Sequence, residues 1–169
     1  ALSAGVVRAR GMLKKAAGLN MTISWRSGGF RARVRVTNET GHKLPSGYPE
    51  GRRMWLNLPA WDAANQLVYE SAPYDPATAV LTEGPEAKVY EAILGMSAAE
   101  AAATGFPPGA SFHFVLNNMY VKDNRIPPRG FTNAAFDSIQ ARPVGATYAD
   151  GQYWDDTDYD LPASTRRVT

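Results

Sequence analysis

From position 30 the chain reads FRARVRVT. Phe30, Ala32, Val34 and Val36 alternate with Arg31, Arg33, Arg35 and Thr37. A period of two predicts a strand with one buried face and one wet, basic face. Ser27, Gly28 and Gly29 turn the preceding strand, MTISWR, back into it as a hairpin. Upstream the period changes. Leu2, Val6, Ala9, Leu13 and Ala16 recur at intervals of four and three, so residues 1–20 predict a helix with one apolar stripe. Arg8, Lys14 and Lys15 lie off that stripe, and Gly18 or Asn20 ends the helix. A free amphipathic helix of this length is marginal in water. It is expected to lie on the domain or on a neighbouring module.

Strand signals continue downstream. RMWLNLPAW places Met54, Leu56 and Leu58 on one face, with Pro59 marking an edge position or the strand's end. Asp62 to Asn65 make a turn, and QLVYES is the return strand. KVYEAIL is a further strand. Ser97 and Glu100 form a capping-box pattern that opens a short alanine-rich helix, and Gly105, Pro107 and Pro108 end it. SFHFVLNNMYV alternates again, with Phe112, Phe114 and Leu116 on one face and His113 on the other. Residues 123–163 read as long and irregular, rich in Pro, Gly, Asp and aromatics, and STRRVT as the opening of another strand. The expected fold is mainly β. It is an antiparallel, Ig-like β-sandwich over residues 21–169, with an N-terminal amphipathic helix over 1–20 and long loops.

Composition narrows the chemistry. Cysteine is absent, which removes disulfides, thiolate catalysis, Cys-ligated zinc, iron–sulfur clusters and covalent c-type haem within this chain. Residues 1–60 carry a formal charge of +9 and residues 61–169 carry −7. Either the two halves neutralise each other in one fold, or a basic face docks an acidic partner. The basic residues are not interleaved with aromatics in a nucleic-acid-binding module. No apolar run is long enough to span a bilayer. The first residues lack the basic-then-apolar order of a signal peptide. No Ser/His/Asp set, GxSxG, phosphate loop, dinucleotide fingerprint or paired hydrolase carboxylates is present, so an enzyme is not expected.

At TNETGHKLPSGYPEGRRMWLNL the chain resembles the C-terminal, haem-free β-sandwich domain of bacterial multihaem c-type cytochromes. AWDAANQLVYES, FHFVLNNMYVKDNRIPPRGFTNAAF and PVGATYADGQYWDD fit the same pattern. The resemblance implies electron transfer outside the cytoplasm, in the periplasm or beyond the cell. It implies a multihaem cytochrome module or subunit as partner, with haem-attachment CxxCH motifs on that module. It also implies a further strand and a tail after STRRVT.

His42 is the first candidate site residue. It sits in a loop stiffened by Gly41, Pro45, Gly47, Pro49 and Gly51. A neutral imidazole is a good axial ligand for haem iron. Lys43, Arg52 and Arg53 are candidates for pairing with the propionates of a haem c bound by a neighbouring module. The bland alternative is a loop histidine bonded to backbone. His113 is expected to face solvent or a covering loop, and no spacing supports a copper site from His42, His113 and a methionine. Asp150, Asp155, Asp156 and Asp158, with Asp160, offer hard oxygens to calcium but lack the register of an EF-hand. They equally fit a solvated acidic loop, and Asp156, Asp158 and Asp160 fit the wet face of a strand. Tyr48, Trp55, Trp61, Tyr153 and Trp154 keep a different class open, an extracellular carbohydrate-binding or adhesion module. The leading expectation is a non-catalytic structural and docking domain of a multihaem cytochrome system. The Arg31/Arg33/Arg35 face and the N-terminal helix are its candidate docking surfaces.

Overall fold

The structure, a computed structural model, describes residues 2–49 and 51–169. In chain order its elements are α1 (Leu2–Lys14), β1 (Ala17–Arg26), β2 (Gly29–Asn38), β3 (Arg53–Trp55), β4 (Leu58–Trp61) and β5 (Leu67–Ser71). There follow β6 (Tyr74–Asp75), β7 (Val80–Leu81), β8 (Val89–Met96), α2 (Ala98–Thr104), β9 (Gly109–Ala110) and β10 (Met119–Asp123). The last are α3 (Asn133–Ser138), β11 (Trp154–Pro162) and β12 (Arg167–Val168). The protein is mainly β, with several antiparallel sheets and a short N-terminal helix, consistent with a β-sandwich.

The chain divides into two compact units. One comprises Leu19–Val36, Trp55–Val89 and Asp155–Thr169. Its sheets run in the orders β1-β2-β11 and β12-β4-β5, with a small β6-β7 pair. The period of two in FRARVRVT explains how the larger sheets meet. Ala32 and Val34 of β2, Tyr159 and Leu161 of β11, and Leu58 and Ala60 of β4 form one buried cluster, flanked by Phe30, Leu56, Tyr69 and Val168. Two sheets thus face each other across a shared apolar layer. Each large side chain fully buried there, such as Val34, Leu58 or Leu161, contributes roughly 1.5–3 kcal/mol. A second cluster joins Ala72, Leu81 and Val89.

The outward positions of β2 are paired across the sheet. Arg31 grips Asp160 through Nε and Nη2 at 2.8 and 3.0 Å. Arg33 grips Asp158 at 2.7 and 2.8 Å, and Arg35 grips Asp156 at 2.7 Å through both nitrogens. The partners run in opposite directions along the two strands, as antiparallel neighbours do. The basic face expected to dock an acidic partner is therefore neutralised by an acidic strand of the same unit. Residues 154–162, expected to be irregular, form this strand.

The other unit comprises Ala1–Gly18, Thr37–Met54 and Tyr90–Trp154. It holds the helices and the sheet β10-β8-β3, with β9 beside β8. α1 ends at Lys14, short of the expected Gly18 or Asn20, because Ala17 already opens β1. No described residue of α1 is buried, and Leu2 and Leu13 of its stripe are exposed. α2 is capped as expected: Ser97 accepts from the Glu100 N–H, and Gly105 closes the helix in the left-handed region at φ 78°.

Two strand expectations fail. RMWLNLPAW is not one strand but β3 and β4, which belong to different sheets. Asn57 lies at the break and donates to Glu70 and to the carbonyls of Ser71 and Ala72, holding the chain out of a ladder. SFHFVLNN is a tight turn, and Phe112, Phe114 and Val115 are exposed. Ser111 Oγ accepts from the His113 N–H, the His113 carbonyl accepts from Leu116 and Asn117, and Asn117 donates back to Ser111. These local bonds compete with strand pairing and win until Met119.

Candidate functional site

His42 is exposed and lies in a loop whose brace begins at the end of β2. Asn38, wholly buried, directs its amide nitrogen at the carbonyls of His42, Ile126 and Pro127, at 2.7, 2.9 and 3.0 Å. Its Oδ1 accepts from the Thr40 backbone N–H at 2.8 Å. The Thr40 hydroxyl lies 2.8 Å from both Asn38 Oδ1 and the His42 carbonyl. Leu44 and Ile126 exchange two backbone bonds of 2.9 Å, a one-residue ladder that clamps the far side of the loop. Four residues before a histidine, a single asparagine thus takes over what glycine and proline were expected to do alone. The His42 backbone is held, and its ring is left facing outward.

Beneath the loop lies a recess of about 440 Å³, lined by His42, Lys43, Tyr120, Arg125, Phe136 and Ile139, among others. Its floor is an ion cluster. Lys43 Nζ lies 2.7 Å from Asp123 Oδ2, and Arg125 holds the same carboxylate through Nε and Nη2, each at 2.8 Å. All three residues are buried, Asp123 completely and the two cations to better than nine-tenths. Burial alone pushes the Asp123 carboxyl up, but the hydrogen bonds from Arg125 and Lys43 outweigh it and hold the group below the ordinary aspartate value. The Lys43 ammonium also stands 5.7 Å from the Phe136 ring centre.

Of the residues proposed from sequence to meet a propionate, only Lys43 shares the recess with His42. Arg52 and Arg53 line a different hollow, with Glu91, Ala110 and Phe112. Arg52 donates to the Ser46 carbonyl at 3.1 Å. His113 packs against Phe106, ring centres 4.4 Å apart, and does not line the recess of His42. The proposed calcium carboxylates are dispersed among partners. Asp156 and Asp158 belong to the arginine ladder, Asp155 pairs with Lys88 at 2.7 Å, and Asp150 accepts from the backbone and side chain of Asn133 at 2.8 and 2.9 Å. No group of three or more His, Asp or Glu among the described residues is arranged to hold a metal. The aromatics proposed for sugar stacking each pack locally: Trp55 on Tyr74, Tyr153 on Trp154, Tyr48 on Phe114, and Trp61 beneath Arg167.

Sequence reasoning missed Asn38, Asp123 and Arg125. Asp123 and Arg125 occur in VKDNRIPP, whose composition reads as an exposed loop. Their partner Lys43 is 80 positions away.

The fold and the recess together define an antiparallel β module that presents an imidazole above a buried cationic floor. No protein-family model and no curated protein matches the chain. Among solved structures the chain is similar to the crystal structure of a penta-haem cytochrome c552 from Thermochromatium tepidum, at 19% identity and a TM-score of 0.52. The match covers 94% of this chain and 31% of that one. At that identity the likeness is one of fold.

Proposed function

We propose that the chain is a non-catalytic β module of an extracytoplasmic multihaem cytochrome system, and that His42 offers its ring to the iron of a haem bound by a neighbouring module. The observation that carries this reading is the fold likeness, in which nearly the whole chain corresponds to less than a third of a penta-haem cytochrome. The local chemistry supports it. Without cysteine the chain cannot attach a c-type haem itself, so any haem it serves is tethered elsewhere. An axial ligand given to another module must project from the fold and stay rigid. His42 does the first by exposure and the second through the Asn38 brace. The haem supplies the redox chemistry. The chain's own residues orient one imidazole and place positive charge below it. Lys43 and Arg125 replace the set of Lys43, Arg52 and Arg53 as cations beside that ring.

The test is His42→Ala in the intact cytochrome assembly, read by absorption and EPR spectroscopy. One low-spin haem is expected to become high-spin while the others are unchanged. An unaltered low-spin population removes His42 as a ligand. Isolation of the native gene product with no haem associated at any stage sinks the wider reading.

A further inference from the structure

The ion cluster beneath His42 is unbalanced. Two buried cations, Lys43 and Arg125, share one carboxylate, Asp123, so the floor of the recess carries a surplus charge of +1. Uncompensated charge this far from water is costly, and such groups are normally paired. The donors are also in excess. Lys43 has three ammonium protons and spends one on Asp123 Oδ2. Arg125 commits Nε and Nη2 to Asp123 and also hydrogen-bonds the Tyr120 hydroxyl, which still leaves part of its five-proton fork. None of the described residues that line the recess is acidic. Its wall is apolar: Phe136 is half-buried, and Ile139 is 68% exposed.

We propose that this recess is a carboxylate receptor, whose ligand carries its anionic arm on an aromatic or otherwise apolar body. The carboxylate completes a two-cation, two-anion cluster on the Lys43 and Arg125 donors. The apolar body lies against Phe136 and Ile139. Charge-assisted bonds made at a partly dry floor are stronger than the same bonds at an open surface. Where the carboxylate is a haem propionate, the proposal rests on the reading above. The charge count stands without it.

The probe is 3-phenylpropionate, titrated into the intact chain and followed by two-dimensional amide NMR. Its neutral isostere 3-phenylpropionamide and inorganic phosphate serve as comparators. Saturable shifts are expected at Lys43, Arg125 and Phe136, with the carboxylate binding at least tenfold more tightly than the amide or phosphate. Lys43→Gln and Arg125→Gln each leave a balanced pair with Asp123, and each is expected to weaken the probe tenfold or more. Either variant suffices if the other does not fold. The probe carries no iron, so its binding is read independently of any ligation by His42. Equal binding of acid and amide, phosphate binding as tightly as phenylpropionate, no saturable shift, or parent-like binding by the folded variants overturns the proposal.

Discussion

Replacing Asn38 by alanine tests how the His42 loop is held. The side chain is wholly buried and sits among three backbone carbonyls, with Oδ1 receiving the Thr40 N–H at 2.8 Å. Ile126 keeps the bond from Leu44, so its carbonyl retains a donor after the change. The Pro127 carbonyl and the Thr40 N–H lose the only partner described for each. An unmade buried hydrogen bond costs about 1–3 kcal/mol, so two such losses amount to roughly 2–6 kcal/mol, before the small cavity is counted. For a chain of this size that corresponds to a fall in Tm of about 4–24 °C. Urea unfolding measures the free energy. Amide hydrogen exchange shows where it is lost, with protection expected to fall first at Thr40 and Leu44. Asn38→Asp is the sharper companion: it keeps an acceptor for Thr40 but sets a carboxylate against carbonyl oxygens, and should cost at least as much. A loss below about 1 kcal/mol in both variants would refute the idea that this amide braces the loop.

Three further outcomes follow from the same geometry. Asp123→Asn leaves Lys43 and Arg125 buried without their anion and should lose about 3–5 kcal/mol in urea unfolding. Gly95→Ala places a methyl group into the Gly109 carbonyl oxygen and Val121, both held by the sheet, and should destabilise by about 2 kcal/mol or more in thermal unfolding. The arginine ladder makes stability pH-dependent. The hydrogen bond from Arg33 holds Asp158 below its ordinary value of 3.8, so the pair stabilises fully above that pH and is lost as pH falls through the lower folded value. The Tm gap between the parent and Arg33→Gln should therefore be open at neutral pH, narrow with added salt, and close in strong acid. A gap independent of pH would assign the effect to packing.

Local chemistry that acts over a few residues was legible in the chain itself. The alternation in FRARVRVT named both faces of β2, because a strand's side chains must alternate. Ser97 and Glu100 marked the start of α2, because a helix's first N–H groups need a nearby acceptor. The hairpin at Ser27 and Gly28 and the turn at Asp62 were legible for similar reasons. Where two local rules competed, periodicity misled. Phe112, Phe114 and Leu116 alternate like a strand, yet Ser111 and Asn117 fold the segment into a turn.

Tertiary structure decided the rest, because the partners are far apart in the chain. The Arg31, Arg33 and Arg35 face looked like a docking surface until β11 brought Asp160, Asp158 and Asp156 beside it, more than 120 positions away. The same pairing engages Asp156 and Asp158 of the carboxylates that had suggested calcium, while Asp155 goes to Lys88 and Asp150 to Asn133. The recess beneath His42 depends on Asp123 and Arg125 meeting Lys43, and on Asn38 reaching Ile126 across 88 positions. A sequence states which side chains carry charge and which can cap or turn. Whether a charge is solvated, neutralised or left in surplus depends on what the fold places within 3 Å of it, and Coulomb and hydrogen-bond energies change most steeply over that range.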